Sequence, residues 1–354
     1  MVFSLIVLFL TCMSLSFVEE RLMKRDKIII YIILGIAMIL IAGLREVGST
    51  PDTINYEEMY YAKENSITLL LTEPSFRFIS SILHSYSLDV NALFFVYAIL
   101  SIPLHLFVFW KISKLPFLTL TIYISYYYMM HDMVQMRCAV ASGLFLWAIY
   151  CYANNKKILT FLFISTGIFF HYSASAGFVI FLLSDRMTKW HKIALYTLVP
   201  VGIFIYFTHI DISALIPDEL GGAKLMRYRE LNEKGFDELH EGWKFEINIL
   251  IWMNIVLYYA CIYYHDFLVK HFKYTTIAIK LQAVGFCFLF FAYSMSKVLA
   301  NRMNDYFSVA SILLWTASYY AFYPKLVSRI INNAISTLRF VTSMLRYALA
   351  LLFM

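Results

Sequence analysis

Charge is scarce in this sequence: only 15% of its 354 residues are Asp, Glu, Lys or Arg, whereas 61% are hydrophobic. So few charged side chains cannot cover the surface of a soluble protein of this length, which excludes that class. Apolar runs long enough to cross a bilayer recur along the chain. The composition therefore predicts one integral membrane domain over residues 1–354, an all-α polytopic bundle of about ten or eleven transmembrane helices.

Cysteine is also rare, and all five cysteines fall inside apolar runs without CxxC or Cys/His metal spacing. This pattern is typical of small core residues and not of disulfides or metal ligands. No P-loop, GxGxxG, HExxH or nucleophile-elbow motif is present. Residues 1–18 lack a basic leader and a small-x-small cleavage site, so we interpret them as a retained first span. We expect no bound metal and no cofactor.

The distribution of charge predicts the orientation of the chain. The net charge of +6 comes from cations in short loops, which indicates membrane orientation and not a nucleic-acid partner. The loops assigned to the cytoplasm carry 16 Lys/Arg against 5 Asp/Glu, and the opposite segments have an acidic excess. These cytoplasmic loops are 19–27, 110–114, 153–157, 184–192, 265–275 and 324–339. The prediction is a bacterial inner-membrane protein with a periplasmic amino terminus.

The stretch 158–183 does not fit a simple span. Its 26 mostly apolar residues are flanked on both sides by Lys or Arg, and the positive-inside rule puts both ends in the cytoplasm. We interpret it as two short half-crossing helices with His171 at the tip. A single tilted span is the alternative, and it would invert the orientation on one side.

Two long segments, 45–90 and 210–245, are then predicted to be periplasmic. The first contains an amphipathic stretch after Pro74 that predicts a helix on the membrane surface. Its apolar stripe is Phe76, Ile79, Leu83 and Tyr86. The second segment is expected to form a mobile lid or cavity wall. The tail 340–354 is too short to cross and is predicted to be interfacial.

Four ionisable residues lie at the outer ends of apolar runs: Arg45, Arg137, His171 and Arg302. Charged groups at such depths are costly and tend to face a polar cavity. Three cations and a histidine around one cavity indicate an anionic substrate, and the apolar chain favours a lipid diphosphate.

Each of these residues also has a plain structural interpretation. Arg45 fits an anion clamp oriented by Asp52 or Tyr56, or a boundary arginine that snorkels. Arg302 fits a diphosphate site at a helix amino terminus, or a cap paired with Asp305.

Arg137 lies beside the small residues of its span, which let a neighbouring helix approach closely. It fits a buried functional cation, or an ion pair with Asp132 or a loop carboxylate. His171 fits a proton acceptor or a satisfied structural histidine. Glu73, just before Pro74, fits a helix cap or a general base. Arg227 and Arg229 are substrate-binding candidates that fit a solvated loop face equally well.

The motifs together resemble a known family. They are Leu44-Arg45 … Asp52 … Tyr56, Glu73-Pro74-Ser-Phe, Met136-Arg137-Cys-Ala-Val-Ala, Phe170-His171-Tyr-Ser-Ala and Asn301-Arg302 … Tyr306-Phe307. In this order and spacing they resemble the EpsG branch of the Wzy-type bacterial polysaccharide polymerases, over residues 28 to 323.

The resemblance implies a metal-independent membrane glycosyltransferase with a GT-C-like helical fold. Its donor would be a growing glycan on undecaprenyl diphosphate, and its acceptor a repeat unit on the same carrier. Other implied partners are the bilayer and a chain-length regulator. Arg137 and Arg302 would bind the diphosphate with Arg45 as a third cation, and His171 or Glu73 would activate the acceptor. The remaining substrate contacts would come from Asp52, Tyr56, Tyr60, Arg77, Arg227, Arg229, Asp305 and Tyr306.

Other functions fit the same residues. An O-antigen ligase or a transferase that uses a polyprenyl monophosphate would need a similar cation cluster. A membrane transporter of an anionic substrate also combines broken helices with buried charge. The clustering of ionisable residues at outer ends of spans favours the enzymes.

Overall fold

The computed structural model describes residues 1–62, 72–208, 248–293 and 297–352. All regular structure in these residues is helical, with no β-strand among them, as the all-α prediction requires. Packing divides the chain, which the sequence suggested to be one domain, into two compact units. The first consists of residues 1–179 and 315–354, and the second of residues 180–314.

The first unit carries most of the candidate functional residues, and its described residues before residue 180 form eight α-helices. They are α1 (Val2–Val18), α2 (Lys24–Gly43), α3 (Pro51–Tyr60), α4 (Pro74–Ser85), α5 (Val90–Ile112), α6 (Pro116–Ile124), α7 (Met136–Tyr152) and α8 (Lys157–Phe170). A π-helix (Tyr128–Val134) precedes α7, and a 3₁₀ helix (Tyr172–Leu182) follows α8 and continues into the second unit.

The second unit is described by five α-helices. In order they are α9 (Lys189–Thr208), α10 (Ile249–Tyr263), α11 (His265–His271), α12 (Thr275–Phe291) and α13 (Lys297–Ser308). The chain continues through α14 (Ser311–Ser318), which spans the boundary between the units, a 3₁₀ turn (Tyr319–Ala321) and α15 (Lys325–Leu352). Within the second unit, Tyr258 donates a hydrogen bond to the Leu195 carbonyl at 2.9 Å, which joins α10 to α9.

Three of the described helices, α2, α5 and α9, are long and apolar enough to cross a membrane. Six shorter apolar helices accompany them in the described part of the chain. The outward side chains of α2 are apolar, with Ile32, Ile33 and Ile36 each more than half exposed. At its carboxyl end α2 packs on α5 so closely that a Cβ at Gly43 would lie 3.0 Å from the Cα of Phe95. Such helices fit a lipid environment, and the total of ten or eleven spans stays a prediction.

The chain reverses direction at His171. The rings of Phe161 and Phe178 lie 5.3 Å apart, although 17 residues separate them in sequence. The close approach is made at Gly167, where a Cβ would lie 3.2 Å from the Cβ of Ala174. A single tilted span would hold these residues far apart, so the segment 158–183 is a hairpin with His171 at its turn.

The amphipathic helix α4 packs part of its predicted apolar stripe against the rest of the protein. Phe76 is fully buried and Leu83 nearly so, in an aromatic cluster with Tyr56 and Tyr97. Tyr86, the last residue of the stripe, is exposed, as are Phe78 and Ile82 outside it. Periodicity identified the amphipathic helix correctly, and its position on a membrane surface stays a prediction.

The carboxyl-terminal segment is more regular than expected. A cytoplasmic loop (324–339) was expected before the tail, whereas residues 325–352 form the single helix α15, which packs along α1. The interfacial position of the tail (340–354) stays a prediction. The polar residues that interrupt its hydropathy, among them Asn332, Asn333 and Arg339, are buried on one face. The mean hydropathy of the whole helix therefore does not reveal the apolar face on its opposite side.

Candidate active site

Glu73, Arg137 and His171 meet in the first unit. One carboxylate oxygen of Glu73, Oε2, pairs with the Arg137 guanidinium through Nη1. The other oxygen, Oε1, lies 3.1 Å from Nδ1 of His171. A single carboxylate therefore joins two residues that lie far from it in sequence.

Each of the three residues stands at the end of a helix. Glu73 occupies the N-cap position of α4 but makes no capping hydrogen bond, so its side chain is directed to Arg137 and His171 instead. Arg137 is the second residue of α7, and His171 ends α8 with an extended backbone (φ −154°, ψ 121°). Because α7 and α8 pack against each other, the first turn of α7 and the last turn of α8 come together.

The ion pair decides between two interpretations of Arg137. The sequence left open an ion pair with Asp132 or with a loop carboxylate, and the structure shows the second, with Glu73. The guanidinium also lies over the rings of Tyr56 and Phe76, at 5.4 Å and 5.6 Å from their centroids. Arg137 and His171 keep 16% and 12% of their side-chain surface exposed, against 5% for Glu73. The cation and the imidazole are thus more accessible than the anion between them.

Electrostatics keep Glu73 ionised. Burial alone raises the pKa of this carboxyl, but the hydrogen bond with His171 and the charge of Arg137 outweigh burial and lower the pKa to about 2. A depressed carboxyl pKa stabilises the folded state above the ordinary value of 4.5. This contribution is lost as the pH falls from there toward 2, so it is constant across the neutral range.

Arg45 lies at the same end of the first unit but is enclosed by protein. Its Nη1 donates to the carbonyl of Ala42, its Nη2 lies 3.7 Å from Sδ of Met136, and its guanidinium stacks over Phe94. At 3% exposure it does not snorkel. It caps the carboxyl end of α2 and ties it to the residue before Arg137. Its contact with a diphosphate stays a prediction.

The other loop candidates of the first unit occupy different settings. Tyr60 is buried, with its hydroxyl donating to the Leu88 carbonyl at 2.8 Å and its ring stacked on His84. The contact of Tyr60 with a substrate stays a prediction. Asp52 lies half-buried in the first turn of α3, and Arg77 is exposed on α4. Tyr56 is buried under the Arg137 guanidinium.

The remaining candidates lie outside the first unit. Arg302 is exposed on α13 of the second unit, where Asp305 and Tyr306 are buried. Arg227 and Arg229, with the whole segment 210–245, lie outside the described residues. Within the described ranges, no group of three or more His, Cys, Asp or Glu side chains is arranged to hold a metal ion.

Comparison with known proteins identifies the family. A model described as the EpsG family matches residues 28–354, which is most of the chain. The chain belongs to the EpsG family. No curated protein and no solved structure matches it. The matched region of this EpsG-family protein includes the Glu73, Arg137 and His171 cluster, and it indicates a membrane protein of polysaccharide biosynthesis with glycosyltransferase-like enzymatic activity.

Sequence reasoning missed two residues beside the cluster of the EpsG-family protein. The hydroxyls of Ser75 and Tyr97 lie 3.1 Å apart and join the first turn of α4 to α5. The Tyr97 ring also meets Phe170 edge-on, at the end of α8. This arrangement fixes Glu73 and His171 relative to each other. A tyrosine within an apolar run, among 27 in the chain, carries no signal that could have singled it out.

A buried polar network around Asp132 supports the helix that carries Arg137. Asp132 lies in the π-helix just before α7, and its carboxylate accepts hydrogen bonds from Ser101 at 2.5 Å and from Tyr123. The network joins the π-helix to α5 and α6. It therefore positions the start of α7 without touching the cluster itself.

Asp132→Ala is expected to destabilise the protein by about 2–4 kcal/mol, because two buried hydroxyl donors lose their acceptor. Thermal unfolding of the purified protein would measure this change. The matched control is Asp89→Ala, which removes an exposed carboxylate that caps α5 and is expected to cost about 1 kcal/mol. Equal losses for the two variants would contradict a supporting role for Asp132.

Proposed function

We propose that this EpsG-family protein is a polysaccharide polymerase of the bacterial inner membrane. It transfers a growing glycan from undecaprenyl diphosphate to a repeat unit on the same carrier, at the periplasmic face. The cluster of Arg137, Glu73 and His171 is the observation that carries the proposal, because it combines an anion-binding cation with a carboxylate-oriented imidazole. These are the two groups that a glycosyl transfer from a diphosphate requires.

Arg137 receives the diphosphate in this proposal. The leaving diphosphate develops negative charge as the glycosidic bond breaks, and a fixed guanidinium stabilises that charge through paired N–H donors. Without ligand the guanidinium is neutralised by Glu73. Diphosphate therefore exchanges with the carboxylate on Arg137, and Glu73 is left with His171 as its partner.

His171 accepts the proton of the acceptor hydroxyl. Glu73 lies at Nδ1, so it holds the imidazole in the tautomer whose Nε2 can take a proton. The hydroxyl oxygen bonds to the anomeric carbon, the bond from this carbon to the diphosphate breaks, and its electron pair leaves with the diphosphate. The hydroxyl proton passes to His171. Glu73 has a depressed pKa, so it is a poor proton acceptor and an orienting group instead.

The remaining candidates keep subsidiary roles in the proposal. Arg302 supplies a second cation for the diphosphate, and Arg45 a third. Asp52, Tyr56, Arg77, Asp305 and Tyr306 are proposed to contact the sugars, as are Tyr60, Arg227 and Arg229. The polyprenyl tails lie in the bilayer, and a chain-length regulator is a further proposed partner.

The decisive experiment is an assay of the purified protein with native lipid-linked repeat units. We expect chain extension and release of undecaprenyl diphosphate, at the same rate with and without a chelator. Failure to extend chains, with transfer of finished glycan to another lipid, would identify a ligase. Extension from a polyprenyl monophosphate donor alone would identify the other class of transferase, and passage of an anion across vesicles without transfer would identify a transporter.

His171→Gln is expected to lower the turnover number by about two orders of magnitude or more, since general base catalysis contributes about 10²–10⁴-fold. Glutamine retains polarity and size but takes no proton at neutral pH. The measurement is the turnover number of the purified variant with lipid-linked repeat units, beside its thermal unfolding. A folded variant with wild-type turnover would show that His171 takes no proton in the reaction.

A further inference from the structure

The carboxyl-terminal helix α15 is amphipathic, but it buries its polar face and exposes its apolar face. Its polar residues are buried: Ser328, Asn332, Asn333, Ser336, Arg339 and Ser343 are each less than 10% exposed. Its apolar residues face outward, with Leu326, Ile330, Leu338, Val341, Leu345 and Leu349 each about half exposed or more. A surface helix in water shows the opposite arrangement. The medium outside α15 is therefore apolar.

Residues 329–347 of helix α15 run antiparallel to α1, from Phe17 to Met1. The contacts between them run in reverse order through the two helices. Arg329 Nη1 donates to the Phe17 carbonyl at 3.0 Å, the rings of Phe340 and Phe9 stack with centroids 4.3 Å apart, and the Tyr347 hydroxyl lies 3.8 Å from Sδ of Met1. A helix that lies on the membrane surface would touch a crossing helix at one end only.

The length of the shared contact matches a bilayer. From Arg329 to Tyr347 the helix rises about 27 Å at 1.5 Å per residue. The hydrocarbon layer is about 30 Å thick. Because α1 is the predicted first span, a partner that follows it over this distance crosses the same layer.

The basic residue near the middle of α15, Arg339, is compatible with a helix that crosses the hydrocarbon layer. Arg339 is 1% exposed, and its guanidinium lies 5.2 Å from the Trp315 ring centroid and 5.3 Å from that of Tyr127. The aromatic faces stabilise the cation inside the protein, so it is not presented to lipid.

We propose that α15 crosses the bilayer, with its leucine-rich stripe against lipid hydrocarbon and its carboxyl end on the face of the candidate active site. The Tyr347 hydroxyl donates to the carbonyl of Ser49, in the segment that joins Arg45 to α3. At the opposite end, Lys325 and Arg329 pair with Glu20, which follows α1. Basic residues at this end fit the cytoplasmic side.

Reporter fusions to the full chain test the proposal. A phosphatase that is active only outside the cytoplasm, fused after Met354, is expected to be active. A fluorescent protein that matures only in the cytoplasm, fused at the same place, is expected to be dark. The reverse result, or comparable signals from both fusions, would overturn the crossing.

A pair of arginine substitutions tests the lipid contact independently of the carboxyl terminus. Leu338→Arg places a charge at the middle of the lipid-facing stripe, and we expect at least about a tenfold loss of folded protein in the membrane. Leu326→Arg, beside Lys325 at the cytoplasmic end, is the matched control and is expected to accumulate like the wild type. Equal accumulation of the two variants would contradict a hydrocarbon environment for the stripe.

Discussion

Arg137→Ala is expected to reduce chain extension by about two to three orders of magnitude, because removing one charge-stabilising donor costs about 3–4 kcal/mol in the transition state. Arg137→Lys should recover little of this activity. A lysine ammonium keeps the charge but cannot present the paired N–H donors that fit a phosphate. Extension rates of the purified variants with lipid-linked repeat units measure both effects.

The ion pair with Glu73 makes a folding control necessary. Alanine at position 137 leaves a buried carboxylate without its cation, and breaking a buried pair in this way destabilises by about 3 kcal/mol or more. The double variant Arg137→Ala with Glu73→Gln removes the stranded charge. It should unfold near the wild-type temperature and still fail to extend chains.

Arg302→Ala extends the same test to the second unit. If Arg302 shares the diphosphate, its loss should resemble that of Arg137 in rate, but without the folding penalty, because Arg302 is exposed. Wild-type extension by both alanine variants would remove the basis for an arginine-stabilised leaving group.

The sequence predicted the cations and the turn of the site because both are recognisable from neighbouring residues. A charged side chain within an apolar segment costs free energy, and this criterion selected Arg137 and His171. The lysine and arginine residues on both sides of the segment 158–183 predicted the hairpin that α8 and the 3₁₀ helix form. Neither prediction needed knowledge of distant contacts.

The pairing of Arg137 with Glu73 was not predictable in the same way. Before a proline, a glutamate fits a helix cap equally well, and 64 residues separate it from Arg137. Helix α15 was missed for a related reason: its buried polar face lowers the mean hydropathy of a helix that presents leucines outward. In both cases burial inside the protein, and not the local composition, determines the role of a polar side chain.

Glu73→Gln is expected to change binding and turnover in opposite directions. In the wild type the carboxylate competes with diphosphate for Arg137, whereas the amide carries no charge and releases the guanidinium. Inorganic diphosphate should therefore bind about tenfold tighter, since hydrogen bonds to charged groups contribute about 1.5–3 kcal/mol. Turnover should fall by about a hundredfold, because His171 loses the carboxylate that orients its ring and stabilises its charged form.

The matched control is Glu58→Gln, which removes one exposed negative charge from α3 in the same segment, 45–90. Its effect on diphosphate binding should be small and should vanish at about 0.1 M salt, where exposed charges are screened beyond about 10 Å. The effect of Glu73→Gln should persist, because that carboxylate touches the guanidinium. Weaker diphosphate binding by Glu73→Gln would show that Glu73 holds Arg137 in place for the ligand and does not compete with it. If Arg137→Ala left binding unchanged as well, the diphosphate would lie elsewhere on the protein.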